Sequence, residues 1–98
     1  MITSWEKVVP LFEACRDEGS ALSVDSTSPD CFGAFKARVL NVSAQPQLLS
    51  LEKLPSGSRC MLDLSGAQVD VDESALGASW VIWVATKSWR SLFTKPPL

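Results

Sequence analysis

Three groups of side chains in this 98-residue chain have types and spacings that could do chemistry. Asp63, Asp70, Asp72 and Glu73 bring four carboxylates into a short span. Carboxylates are the donors that hard cations take, but such sites want ligands converging from a loop, and alternate carboxylates along a strand ordinarily make a solvated face. Cys31 stands in the turn-rich run Thr27-Ser28-Pro29-Asp30-Cys31-Phe32-Gly33, where a thiolate would be a nucleophile. No His and no cluster of Lys or Arg lies beside it to lower its pKa, so the run reads as a loop around an inert thiol. The third group is basic and aromatic: Lys87, Trp89, Arg90, Phe93 and Lys95. Interleaved cations and rings suit single-stranded nucleic acid or an anionic surface, and Trp89, Arg90 and Phe93 are the candidate contacts to a partner. Large aromatics also seek burial, which favours packing of this segment on the rest of the protein.

The chain has no His, the side chain best suited to proton transfer near neutral pH. Together with the missing catalytic constellation, this reads as a protein that is not an enzyme and needs no cofactor and no metal. The net charge of −2 is spread unevenly: −4 over residues 1–35, +2 over 36–58, −3 over 59–78 and +3 over 79–98. Three positive charges are a weak footprint for nucleic acid, whose binding is driven largely by phosphate neutralisation, so a protein partner is expected instead. Cys15, Cys31 and Cys60 are odd in number and lack metal-ligand spacing. With no charged and apolar leader, they read as reduced thiols of a cytoplasmic protein. The longest apolar run, Trp80 to Ala85, is far short of the roughly 20 residues of a membrane span.

The elements that must position these groups follow from periodicity. Thr3 with Glu6 forms a capping-box pattern, and Trp5, Val8, Val9, Phe12 and Cys15 then share one helical face that ends at Gly19. Pro10 predicts either a kink or a regular helix that starts at the proline, because its ring clashes with the carbonyl four residues back. Leu22 and Val24 alternate with Ser23 and Asp25, the period of a half-buried strand.

From Phe35 to Asp72, alternating segments are separated by turn signals about 8–12 residues apart, as in a small sandwich or barrel. Phe35, Ala37 and Val39 point one way and Lys36 and Arg38 the other, but Leu40 and Val42 are apolar on the second face. That change of phase near Val39–Leu40 requires either a bulge or burial on both faces, and its simplest reading is a bent strand shared by two halves of a barrel. Strands are expected over Leu48 to Leu51, Arg59 to Leu64 and Ala67 to Asp72. If Ser65-Gly66 closes a tight hairpin, Leu62 faces Val69, Cys60 faces Val71, and Arg59 lies outside opposite Asp72. Glu73 to Ala78 is a polar connection, and Trp80 to Thr86 is the most β-prone stretch, expected as a central strand buried on both faces.

The run Phe35 to Ser43, with Leu48 to Leu51, the Leu54-Pro55-Ser56-Gly57-Ser58 turn and Met61 to Leu64, resembles the middle of a PilZ domain. Members of that family bind the bacterial second messenger cyclic di-GMP through an upstream R-x-x-x-R element and a D/N-x-S-x-x-G turn. The resemblance assigns Asn41 and Ser43 to the turn and Arg16 to the first arginine. Pro46 stands where the glycine belongs and Ser20 where the second arginine belongs. One lost bidentate arginine contact costs about 1.5–3 kcal/mol in a phosphate site, so the resemblance implies a barrel that has lost tight cyclic di-GMP binding and serves as an interaction or adaptor module.

The order of helix and barrel also resembles the N-terminal domain of flagellar brake proteins and the Sm-like RNA-binding rings. The Sm-like alternative implies an oligomer assembled by strand pairing, for which Trp80 to Thr86 is the candidate. The expected fold is thus mainly β, a five- to six-stranded antiparallel barrel of PilZ-like or SH3-like form. It makes one domain over 1–98, with a helix at 4–18, the barrel at 20–86 and a basic, aromatic tail at 87–98.

Overall fold

The computed structural model describes residues 1–73 and 78–97. Its elements are β1 (Ile2–Thr3), α1 (Trp5–Glu18), β2 (Ala21–Ser26), β3 (Gly33–Ser43), β4 (Leu48–Leu54), β5 (Arg59–Asp63), β6 (Gln68–Asp72), β7 (Trp80–Ala85) and β8 (Arg90–Lys95). The polar connection expected after Glu73 falls largely outside the described residues, as does Leu98.

Helix α1 buries Trp5, Val8, Val9, Phe12 and Cys15, the face that the spacing of apolar residues predicts. It differs from expectation at its start. Thr3 is not a cap but pairs with Val69 as part of β1, and Ser4 is the N-cap, with extended backbone and no side-chain cap bond. The helix also runs through Pro10, whose ring lies on the exposed face. At the other end Gly19 adopts φ 70°, its N–H bonding Arg16 O while that of Ser20 bonds Cys15 O. This paired closure needs the left-handed backbone that glycine takes without steric cost.

The eight strands form one antiparallel sheet in the order β1-β6-β7-β8-β2-β3-β4-β5. Two meanders, β2 to β5 and β6 to β8, are joined by the pairing of β8 with β2. The expected five or six strands become eight, and the sheet is open, with β1 and β5 as its edges. Seven inter-strand steps of about 4.8 Å would span about 34 Å in a flat sheet. The longest dimension of the molecule is 30 Å, so the sheet coils around its contents.

Those contents are one core built from the apolar face of α1 and the inward rows of β2 to β8. Phe12, fully buried, packs against the rings of Trp5, Trp80 and Phe93 at centroid distances of 5.4, 5.5 and 5.3 Å. The phase change in β3 is a bulge: pairing with β4 shifts between Val39 and Asn41. Ala37, Val39 and Val42 all enter the core while Leu40 is exposed, so Leu40 and Val42 do not share a face as expected. The extra residue returns β3 to its original inward phase.

Three expectations about pairing fail. Leu62 and Val69 both enter the core but are not partners: Leu62 pairs with Leu49, and Val69 with Val84. Cys60 pairs with Leu51 and Arg59 with Glu52, so β5 and β6 form no hairpin. The reason lies in their connection, where Leu64 N–H bonds Gln47 O and Ala67 N–H bonds Leu64 O. The chain turns a corner there instead of folding back.

Strand β7 is central, paired with β6 and β8, but only Trp80, Ile82 and Val84 are buried; Trp83 on the other face is 42% exposed. Because both edges of β7 are occupied, the Trp80 to Thr86 stretch has no edge left for pairing between subunits. The expected tail at 87–98 is instead largely β8, placed between β7 and β2, and the sheet extends to Lys95.

The reduced-thiol expectation is also corrected. Cys31 and Cys60 are joined in a disulfide with Cα atoms 5.4 Å apart, and only the buried Cys15 is free. Strands β3 and β4 carry the chain out and back between the two cysteines, a juxtaposition that their separation of 29 residues does not announce. Among the described residues no helix is long and apolar enough to cross a membrane.

Candidate functional site

The motif residues do not converge. Arg16 sits in the last turn of α1, its Nε 3.1 Å from Asp17 Oδ1. Ser43 ends β3, and its carbonyl accepts the indole N–H of Trp5, at the first turn of α1, at 2.7 Å. Eleven residues of helix separate Trp5 from Arg16, about 16 Å along the axis. Asn41 spends its Oδ1 on the N–H of Val42 at 3.0 Å. It lines a shallow groove with Leu40, Ser50, Arg59, Cys60 and Met61, which includes neither Arg16 nor Ser43.

The C-terminal candidates also separate. Phe93 is fully buried in the core and is withdrawn from any partner surface. Trp89 is half-buried against the core, its backbone N–H bonded to Thr86 Oγ1. Of the three, only Arg90 is exposed; its backbone exchanges bonds with Thr27, the N–H reaching Thr27 Oγ1 at 2.9 Å.

Among the described residues no three of the acidic candidates are grouped so as to hold a metal ion. Asp63 lies on β5, where its carboxylate accepts Ser65 N–H at 2.9 Å, and the Ser65 bonds hold its pKa below the ordinary value. Asp70 lies on β6, which does not pair with β5, 2.6 Å from the Met1 ammonium. Cys31 is buried and disulfide-bonded, which removes it as a nucleophile.

A charged cluster that sequence reasoning missed joins α1 to β8. Lys95 is 8% exposed and its Nζ is 2.9 Å from Glu18 Oε2, which also accepts Ser20 Oγ–H at 2.9 Å. These bonds, the one from Lys95 first, draw the Glu18 carboxyl below its ordinary pKa, and the bond to Glu18 raises that of Lys95. Burial pushes the nearby Cys15 thiol up to about 11, so it stays protonated and unreactive at neutral pH. This cluster ties α1 to β8.

What the tertiary structure does assemble is a row across the outer face. Pairing aligns Ile2, Asp70, Trp83, Leu92, Asp25 and Ala34 on β1, β6, β7, β8, β2 and β3. Trp83 stands between two grooves of this face. One, of about 470 Å³, includes Asp25, Thr27, Arg90 and Leu92; the other, of about 250 Å³, includes Ile2, Gln68 and Asp70. Ile2 is 68% exposed, so the row offers two large apolar side chains to solvent. The signal available beforehand was the alternation of Trp80, Ile82 and Val84 against Val81, Trp83 and Ala85, which a wholly apolar strand conceals. No family model, curated protein or solved structure matches this chain.

Proposed function

We propose that the protein is a non-catalytic interaction module whose contact surface is the outer face of the sheet around Trp83. The observation that carries this reading is the exposure of Trp83 between two grooves, in a row that also leaves Ile2 in water. Tryptophan is enriched among residues that dominate binding energy, because a rigid ring buries a large area at low entropic cost. The partner is a protein that seats an apolar side chain beside the indole. Asp25 and Asp70 in the same row set this face against a phosphate backbone, which speaks against the Sm-like alternative.

This reading keeps the adaptor role that the PilZ resemblance implies and leaves cyclic di-GMP aside, since Arg16, Asn41 and Ser43 share no pocket. The Cys31–Cys60 bridge favours an oxidising compartment over the cytoplasm, where such bonds are rare. The test places a photo-crosslinking amino acid at position 83, or at exposed Ser56 as a control, in cells that naturally make the protein. A discrete protein adduct at 83 and not at 56 is expected. Adducts at 83 no stronger than at 56, or adducts only with RNA, would overturn the reading.

A further inference from the structure

A different part of the molecule carries a second surface, independent of the Trp83 face. Among the described residues β5 is an outer edge of the sheet, paired with β4 on one side only. An unpaired edge presents backbone N–H and C=O groups to any strand that can match it. The sequence of β5, Arg59-Cys60-Met61-Leu62-Asp63, is complementary to its own reverse in charge and in burial. Arg59 and Asp63 are exposed at its two ends, Met61 is 50% exposed between them, and Cys60 and Leu62 face inward.

We infer that the partner of this edge is a second copy of the chain, joined by antiparallel β5–β5 pairing about a two-fold axis at Met61. In that register each Arg59 lies opposite Asp63 of the other copy, the two Met61 side chains meet on the outer face, and Cys60 lies opposite Leu62 on the inner face. Directly opposed residues of an antiparallel pair share a face, so burial is preserved across the junction. A slip by one residue would turn Met61 inward and Leu62 out, and a slip by two would remove both charge pairs.

Two features favour this occupant over an edge that is merely protected. Edges guarded against association ordinarily carry charge that repels a second copy, whereas here the two ends carry opposite charge at symmetric positions. Asp63 is also held ionised and oriented by the Ser65 bonds. A two-fold interface must be self-complementary, and the five residues of β5 meet that condition. The groove of about 420 Å³ beside the edge, lined by Leu40 and Met61 among others, extends the apolar contact.

The experiment is sedimentation equilibrium of the full chain over a wide concentration range. The wild type should pass from 10.6 kDa towards twice that mass as concentration rises. Arg59→Asp and Asp63→Arg should each remain monomeric, with dimerisation weakened by about tenfold or more, because each places like charges opposite one another. Mixed in equal amounts, the two variants should form a heterodimer, since both charge pairs are then restored, one in its native order and one reversed. Asp63→Arg also removes the bond to Ser65, so Met61→Lys, at an exposed position, serves as the second variant; it opposes two ammonium groups at the axis and should stay monomeric with an unchanged far-UV spectrum. A wild type that stays monomeric throughout, a dimer that persists in folded Arg59→Asp or Met61→Lys, or folded charge variants that fail to pair on mixing would each overturn the inference. None of these outcomes bears on crosslinking at position 83.

Discussion

The indole N–H of Trp5 donates to the backbone carbonyl of Ser43 at 2.7 Å, tying the first turn of α1 to the end of β3 across 38 positions of sequence. Trp5 is 2% exposed, so bond and ring act together: the ring fills the core beside Phe12 and the N–H satisfies a carbonyl at a strand end. Trp5→Phe keeps most of the apolar volume and leaves that carbonyl without its donor. It should lower the unfolding free energy in urea by about 1–3 kcal/mol, the cost of an unsatisfied, partly buried polar group. Trp5→Ala should cost about 3–5 kcal/mol, since it also opens a cavity. Equal losses for the two variants would show that the hydrogen bond, and not the packing, accounts for the effect of this residue.

Glu18 and Lys95 give the protein a defined pH response. The Glu18 pKa is lowered on folding, so its contribution is present above the ordinary value of 4.5 and is lost as pH falls through the lowered value. The Lys95 pKa is raised, so its contribution is present below 10.5 and is lost as pH rises through the raised value. Glu18→Gln should therefore reduce the thermal midpoint at neutral pH, with the difference from wild type shrinking in acid below the Glu18 titration. Thermal unfolding of both proteins across the pH range reads this directly, and a pH-independent difference would exclude the ion pair as its source.

Thiol counting tests the cysteine arrangement. Unfolded without reductant, the chain should expose one reactive thiol, that of Cys15, and after reduction three. In the native state at neutral pH labelling should be slow, because burial holds the Cys15 pKa near 11. Replacing Cys31 and Cys60 by Ser should cost about 2–4 kcal/mol of stability. Three thiols titrating in unreduced, unfolded protein would contradict the bridge.

Cyclic di-GMP should not bind at micromolar concentration, because Arg16 and Ser43 are held near opposite ends of α1, about 16 Å apart along its axis. Titration calorimetry should record only heats of dilution. Saturable heat at micromolar ligand, lost in Arg16→Ala, would restore the motif reading.

The amino-acid sequence by itself determined what depends on near neighbours. The helix face of Trp5, Val8, Val9, Phe12 and Cys15, the left-handed stop at Gly19, the strands from β2 to β7 and the change of phase near Leu40 all follow from periods of 3.6 and 2 and from local sterics. What only the tertiary structure decided was partnership. A strand's alternation says which residues share a face but not which strand lies beside it, so Leu62 and Val69 were legible as core while their partners Leu49 and Val84 were not. The same limit hid the Cys31–Cys60 bridge and the strand in the C-terminal segment. Trp83 was hidden for a related reason: a strand apolar on both faces carries no mark of which face meets the core. That was settled by α1, which fills one side of the coiled sheet and leaves Trp83 on the other, in water.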